Sequence, residues 1–471
     1  MKRGFFLSAL VALPLFTAPT AHAWEAETTQ AGLAEQAALS SKLHKRLVNL
    51  GFSGGLFEQL TIPPADSPSL AQDLKLLSPT HGAVPDARGR QSALAWIAAG
   101  AALADVPASH GANHFYDPDT KKGWRAPSRG VIEALSDKVR EAVGRADLPD
   151  TGVPAPDWVV SKDNTFNVDA FYDQYAKAVT AKTPGERSRH MAAALIAAGA
   201  IVHTLGDLGV PSRVRGDSAA HLEHLGGGPD DLGSRFERIA ALSAGRLGVP
   251  GPAREIKREH LRDFFTAPDG KGLADVIAHS YFSTNTLPRP SRVGGDSKPE
   301  LARSLPSLPS RLNLMAASRD DGTTLRDKAG TCLARYKVEH GLLEFWLDDD
   351  CMLEEVSRIL PEVSAYETGL LDYLLRGDLT IKINDGQILV GGKALGAGAI
   401  EILVEDNRGV RTTIVNQKVT GAPAGDEASQ GTPLLKAAAP ESGSKIYAVY
   451  RGVALNGEPM VATGAMPFGQ N

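Results

Sequence analysis

The stretch His190-Met191-Ala192-Ala193-Ala194-Leu195-Ile196-Ala197-Ala198-Gly199-Ala200-Ile201-Val202-His203-Thr204-Leu205-Gly206-Asp207 decides how the rest of the chain is read. Met191, Leu195, Ala198 and Val202 recur at the three- and four-residue steps of an α-helix, with His203 at the stripe's edge. The run therefore predicts a buried central helix over 186–206. His203 and Asp207 stand four residues apart at its end, which puts an imidazole and a carboxylate on one helix face. A single cation can take both, although the same pair also occurs as a plain hydrogen-bonded couple. Upstream lie Asp105 and the run Asn113-His114-Phe115-Tyr116-Asp117-Pro118-Asp119-Thr120. Asp105, His114, His203 and Asp207 together make a two-nitrogen, two-oxygen donor set of the kind that suits zinc.

Outward from this centre, helical periodicity predicts further helices over 30–50, 91–104, 128–145, 166–181, 231–246, 255–265, 323–346 and 351–375. Pro- and Gly-rich connections fall at 148–157 and 285–310. After Arg376-Gly377 the pattern turns to alternation, with Asp385-Gly386 as a hairpin signal between two apolar runs. A chain of 471 residues exceeds one ordinary core. The expected fold class is mainly α, with a multi-helix domain over 24–376 and a small β-sandwich over 377–471 that carries a polar loop around 418–443.

The first 23 residues read as an export signal. Lys2 and Arg3 precede an apolar core from Phe5 to Phe16, and Ala21-His22-Ala23 forms a cleavage site before Trp24. A secreted or periplasmic bacterial location follows as an expectation, and no later stretch is expected to cross a membrane. In an oxidising compartment Cys332 and Cys351 favour a disulfide over two buried thiols. A net charge of -5 gives no global positive field, so no stable nucleic-acid partner is expected. No glycine-rich phosphate loop, serine nucleophile elbow or dinucleotide fingerprint competes with the metal signature.

Trp24 as a new N-terminus, the His114 to Thr120 run and the His203 to Asp207 helix end, in this order, resemble the bacterial zinc-dependent phospholipases C and their single-strand nuclease relatives. The likeness spans most of 24–376. It implies a helical fold whose zinc cluster cleaves a phosphoric ester by water attack on phosphorus. It also implies that Asp105, His114, His203 and Asp207 hold the first zinc, that Asp105 serves as general base, and that Trp24 binds another zinc through its amine and carbonyl. A phospholipid or other phosphodiester would be the substrate, walled by Phe115, Tyr116 and Trp124. The C-terminal domain would dock to a membrane or another surface.

Three departures deplete the second and third zinc sites. Gln30 stands where the resemblance expects a histidine, Pro211-Ser212-Arg213 replaces a Pro-x-His, and the segment from Gly233 to Glu237 keeps only the carboxylate of a His-x-x-x-Glu pair. Arginine stays protonated and cannot ligate zinc. Arg213 can instead supply a fixed charge and a fork for phosphate oxygens, with Glu237 as the remaining carboxylate ligand. Asp217, His221 and His224 are either replacement ligands or a solvated polar helix, and Arg215-Gly216-Asp217 spells an adhesion tripeptide that arises often by chance. The leading reading is a zinc-dependent phosphoric-ester hydrolase. Its rivals are a catalytically degenerate single-zinc binding or scaffold protein of the same fold, and a metal-free adhesin.

Overall fold

Most of the core helices begin where a capping side chain meets the start of an apolar stripe. The computed structural model describes residues 29–77, 84–126, 149–221, 234–289, 291–292, 324–421, 434–440 and 442–468. Its main helices are α1 (Ala31–Ser40), α2 (Ala93–Leu103), α3 (Val168–Thr180), α4 (Pro184–Gly206), α5 (Arg235–Leu247) and α6 (Asp349–Leu374). Thr183 and Glu186 form a reciprocal capping box on α4, with Pro184 in the first turn. Ser234 and Glu237 do the same for α5. Ser92 caps α2 by accepting from Ala95 N at 3.1 Å, and Asp348 caps α6 by accepting from Cys351 N at 2.9 Å.

α4 is apolar on nearly every face. Its extension over Pro184–Gly209 has a mean hydropathy of 1.6 in its best window. By length and composition it could cross a membrane, which corrects the expectation that no stretch beyond residue 23 is apolar enough. Yet 94% of that window is buried, because α2, α3 and α6 pack around it. It is the core helix of the fold.

α2 and α4 meet backbone to backbone at a pair of glycines. A Cβ on Gly100 would collide with the carbonyl of Ile196, and one on Gly199 with the carbonyl of Ile97. Only hydrogen fits at either place, so the helix axes come closer than any side chain would allow. This approach brings Asp105, two residues beyond α2, beside His203 near the end of α4.

The helix expected over 323–346 is instead a meander of β1 (Thr324–Arg326), β2 (Cys332–Glu339) and β3 (Leu342–Trp346). The apolar residues there alternate with period two, and His340 and Gly341, both at positive φ (51° and 74°), form the hairpin turn between β2 and β3. Over 255–265 only Arg262–Phe265 is helical. The helix expected over 128–145 lies outside the described residues, as do most of 285–310 and half of the loop at 418–443.

Cys332 and Cys351 are joined, tying β2 to the first turn of α6 across a sequence separation of 19. Restricting the unfolded chain over such a loop stabilises by about 3 kcal/mol. Cys332→Ser together with Cys351→Ser is expected to lose that amount in urea unfolding under oxidising conditions. An unchanged midpoint would show that the bridge adds nothing.

Beyond α6 the chain forms β4 (Leu379–Asn384), β5 (Gln387–Gly392), β6 (Leu395–Glu405), β7 (Arg411–Val419), β8 (Leu435–Ala438), β9 (Lys445–Ala454) and β10 (Pro459–Pro467). One antiparallel sheet has the order β7-β6-β9-β10 and the other β8-β5-β4. They enclose a common core of Leu379, Ile388, Val390, Ile400, Ile402, Ile446 and Tyr450. The fold is thus a multi-helix region followed by a small β-sandwich. The two share a hydrophobic cluster, since Leu403, Tyr447, Val449 and Val461 pack with the helical core. Buried Arg411 adds a polar tie, donating to Val179 O and Leu50 O at 2.6 Å each, at the carbonyl ends of two helices.

Candidate metal centre

The four expected ligands arrive from three places in the chain and meet in the core. Asp105 follows α2, His114 closes the 3-10 turn Ala108–Asn113, and His203 and Asp207 share one face at the end of α4. Tyr116 N donates to Arg213 O at 3.1 Å, which ties the His114 run to the segment after Asp207. The carboxylates of that run serve the turn and a neighbouring helix. Asp117 accepts from Asp119 N at 3.0 Å and Thr120 N at 3.3 Å, and Asp119 reaches His279 at 3.0 Å.

One donor atom from each of Asp105, His114, His203 and Asp207 lies within 4.8 Å of all the others. His114 Nδ1 is 3.2 Å from Asp105 Oδ1 and 2.9 Å from Asp207 Oδ2. His203 Nε2 is 3.4 Å from Asp105 Oδ2 and 3.2 Å from Asp207 Oδ2. A tetrahedral ion with bonds of about 2.0–2.1 Å sets its ligand atoms about 3.3 Å apart. Nitrogen and oxygen donors alternate around a shared centre at that spacing, so the residues present fit a zinc-type cation. All four side chains are at most 3% exposed, so solvent leaves their charges largely unscreened.

Burial disfavours the charged form of His203, but the carboxylates of Asp207 and Asp105 outweigh it and raise the imidazole to about 10. Burial alone would raise Asp105, yet His203 and His114 hold it well below the usual carboxylate range. Asp207 is lowered in the same way, burial being overcome by Arg213 and His203. A metal ligand must shed its proton. Zinc added to the metal-free chain between pH 7 and 9 is therefore expected to release about one proton per ion. Calorimetry in buffers of different ionisation heat measures this, and zero release would remove His203 from the ligand set.

Beside the ligands lies a second charged cluster. Buried Arg213 sets Nη1 3.2 Å from Asp207 Oδ2 and Nε 3.1 Å from Glu237 Oε1. Its guanidinium lies 4.6 Å from the centre of the Phe115 ring. His221 reaches Glu237 Oε2 at 3.2 Å. Glu237 is held below its ordinary value, burial being overcome by His221 and Arg213. Both of its oxygens are thus occupied by cationic or donor groups, Ser234 N included.

The remaining expectations fall as follows. Phe115, Tyr116 and Trp124 are all buried, and Phe115 and Trp124 pack edge-on to His221. Asp217 turns away from the centre, accepting from Asn285 N and Nδ2 at 2.9 Å each. Arg215 and Asp217 are each 5% exposed, which removes the adhesion tripeptide from the surface. His190 Nδ1 pairs with Gln174 at 2.8 Å. His110 packs edge-on against Trp158 at 5.2 Å. Trp24, His224 and Gly233 lie outside the described residues.

Near the centre the sequence reading misses Glu367 altogether and, for Gln30, the hydrogen bond that ties it to the ligands. Gln30 Nε2 donates to Asp207 Oδ1 at 2.6 Å, so the amide holds the carboxylate oxygen turned away from the histidines. Glu367 lies buried on α6 within the stripe of Val356, Leu360, Val363, Leu370 and Leu374. A carboxylate interrupting an apolar heptad stripe was the signal that could have found it.

Fold and site define an α-helical protein with a C-terminal β-sandwich and a buried two-histidine, two-aspartate centre suited to a metal. Among solved structures the chain is similar to an alpha toxin from Clostridium absonum, with a TM-score of 0.31 and 12% identity over 95% of this chain and 96% of that one. It is also similar to the Clostridium perfringens alpha-toxin isolated from avian strain SWCP, with a TM-score of 0.28 and 11% identity over 94% and 98%. No protein-family model and no curated protein matches the chain. Likenesses this slight carry no weight for function, which rests on the site itself.

Proposed function

We propose that the exported mature chain is a zinc-dependent phosphoric-ester hydrolase of phospholipase C type, with one zinc held by Asp105, His114, His203 and Asp207. The observation that carries this reading is the alternation of two imidazole nitrogens and two carboxylates at 2.9–3.4 Å around one point. Zinc held there would need a position beyond its four protein ligands to lower the pKa of a water and polarise a phosphoryl oxygen.

The chain's own groups would do the rest. Asp105 accepts the attacking water's proton on a carboxylate oxygen. Arg213, fixed over Phe115 and between Asp207 and Glu237, supplies permanent positive charge beside the phosphoryl group. Glu237 acts as its counter-ion, and the remaining guanidinium N–H capacity faces phosphate oxygens. Phe115 and Tyr116 wall the substrate side. The β-sandwich contacts the surface that presents a phospholipid or related phosphodiester, and cleavage before Trp24 delivers the protein outside the inner membrane.

One observation favours a second reading, a catalytically silent single-zinc binding or scaffold protein. Gln30 and Arg213 fill, with hydrogen bonds and charge, the positions where the resemblance expects ligands of further zincs. The deciding experiment couples a metal count on the purified mature chain to turnover of phosphatidylcholine vesicles, single-stranded nucleic acid and a chromogenic phosphodiester. Zinc-dependent product release excludes the silent reading. One zinc per chain with no turnover on any of the three excludes the hydrolase.

A further inference from the structure

We infer that Gln30, Asp207 and Glu367 form a second cation site, built of oxygen donors alone and sharing Asp207 with the two-histidine centre. The inference rests on the reading of Asp207 as a metal ligand. Unlike the amine-and-imidazole zinc site that the resemblance implies, it uses neither Trp24 nor any histidine.

Glu367 is 0% exposed, and neither of its carboxylate oxygens has a hydrogen-bond partner. Gln30 is likewise 0% exposed, and its Oε1 has none either. The two oxygens converge on Gly206, since a Cβ there would collide with Glu367 Oε1 and stand 3.0 Å from Gln30 Oε1. Asp207, the next residue, holds the amide of Gln30 through its Oδ1 at 2.6 Å. That bond uses the nitrogen of the amide and leaves its oxygen turned toward Glu367. Two chain segments, before α1 and along α6, thus aim lone pairs at one dry place, with Asp207 at the end of α4 beside it.

Oxygens that face each other without a donor repel, and leaving a carboxylate unpaired in the core costs several kcal/mol. A cation between them removes both penalties. Carboxylate and amide oxygens, with no nitrogen or sulfur, suit magnesium, calcium or manganese better than zinc, and bonds of about 2.0–2.6 Å are within reach of donors so grouped. Three protein oxygens leave further positions for water, which such ions commonly keep. Gly206 is essential to this arrangement, because any side chain there would fill the space.

The test loads the full mature chain with zinc, removes the excess, and adds manganese, followed by spin resonance of bound against unbound ion and by elemental analysis. Manganese does not displace zinc from the nitrogen-bearing site, because its affinity for such donors is lower. The expected result is one manganese per chain beside one zinc. Glu367→Gln, which keeps the shape of the side chain, should weaken manganese at least tenfold and leave the zinc count unchanged. Gln30→Leu, altering a different segment, should weaken it as well. Zinc-loaded wild-type protein that takes up no manganese overturns the proposal and leaves Glu367 as a neutral buried acid. Equal manganese binding by wild type and Glu367→Gln overturns it too. The separate zinc count shows whether the first site has failed, so the two readings stand or fall apart.

Discussion

His203→Ala protein is expected to purify with less than a tenth of the wild-type zinc and to melt at one temperature with or without chelator. Wild-type protein should lose about 4 kcal/mol on chelation, the linkage expected when the ion is present at a thousand times its dissociation constant. His203 faces both aspartates through a single nitrogen, Nε2, at 3.4 and 3.2 Å. Its removal leaves Asp105 and Asp207 with only His114 between them on the ligand side. Two carboxylates and one imidazole still attract a cation, but weakly, and a buried site with three donors leaves the ion's fourth position to water. Zinc analysis paired with thermal melting checks the result. Full zinc occupancy in His203→Ala would remove the centre from its assigned place.

The second large effect is expected at Arg213. Arg213→Met should destabilise the metal-free protein by about 3–5 kcal/mol, the usual consequence of removing one partner from a buried ion pair. Asp207 and Glu237, 0% and 3% exposed, would both lose a charge within 3.2 Å. Arg213→Lys should lose less, because it keeps the charge while giving up the fork. Acidity narrows the gap between wild type and Arg213→Met. Glu237 is held low in the folded protein, so its contribution is complete above the unfolded carboxyl value of about 4.3 and fades as pH falls further, through the folded value. Urea unfolding at pH 7 and at pH 3.5 measures both statements. A loss under 1 kcal/mol at pH 7 would mean that the cluster is solvated rather than buried.

Much of the architecture could be read from periodicity, because α3, α4 and α6 carry apolar stripes with caps at their starts. The misreading at 323–346 has a physical cause. A meander with one buried face is nearly as apolar as a short helix, and the decisive feature, positive φ at His340, cannot be seen in residue type. The four ligands could be singled out because His203 and Asp207 share a helix face and the His114 run has a distinctive order. Which groups surround them could not. Gln30 was recognised as a departure, but its hydrogen bond to Asp207 spans 177 residues of sequence. The pairing of Arg213 with Asp207 and Glu237 depends on how the segment after α4 turns back. Glu367 went unnoticed because a single acid in a long helix ordinarily faces water.

The crossing at Gly100 and Gly199 has a consequence for how chains of this kind should be judged. Two residues that never approach an ion set the width of the pocket that would receive one. A survey ranking sequences by their histidines and aspartates alone would accept a chain with alanine at either place, though its helices would be wedged apart and its donors spread. The calibration of the centre is written in missing methyl groups.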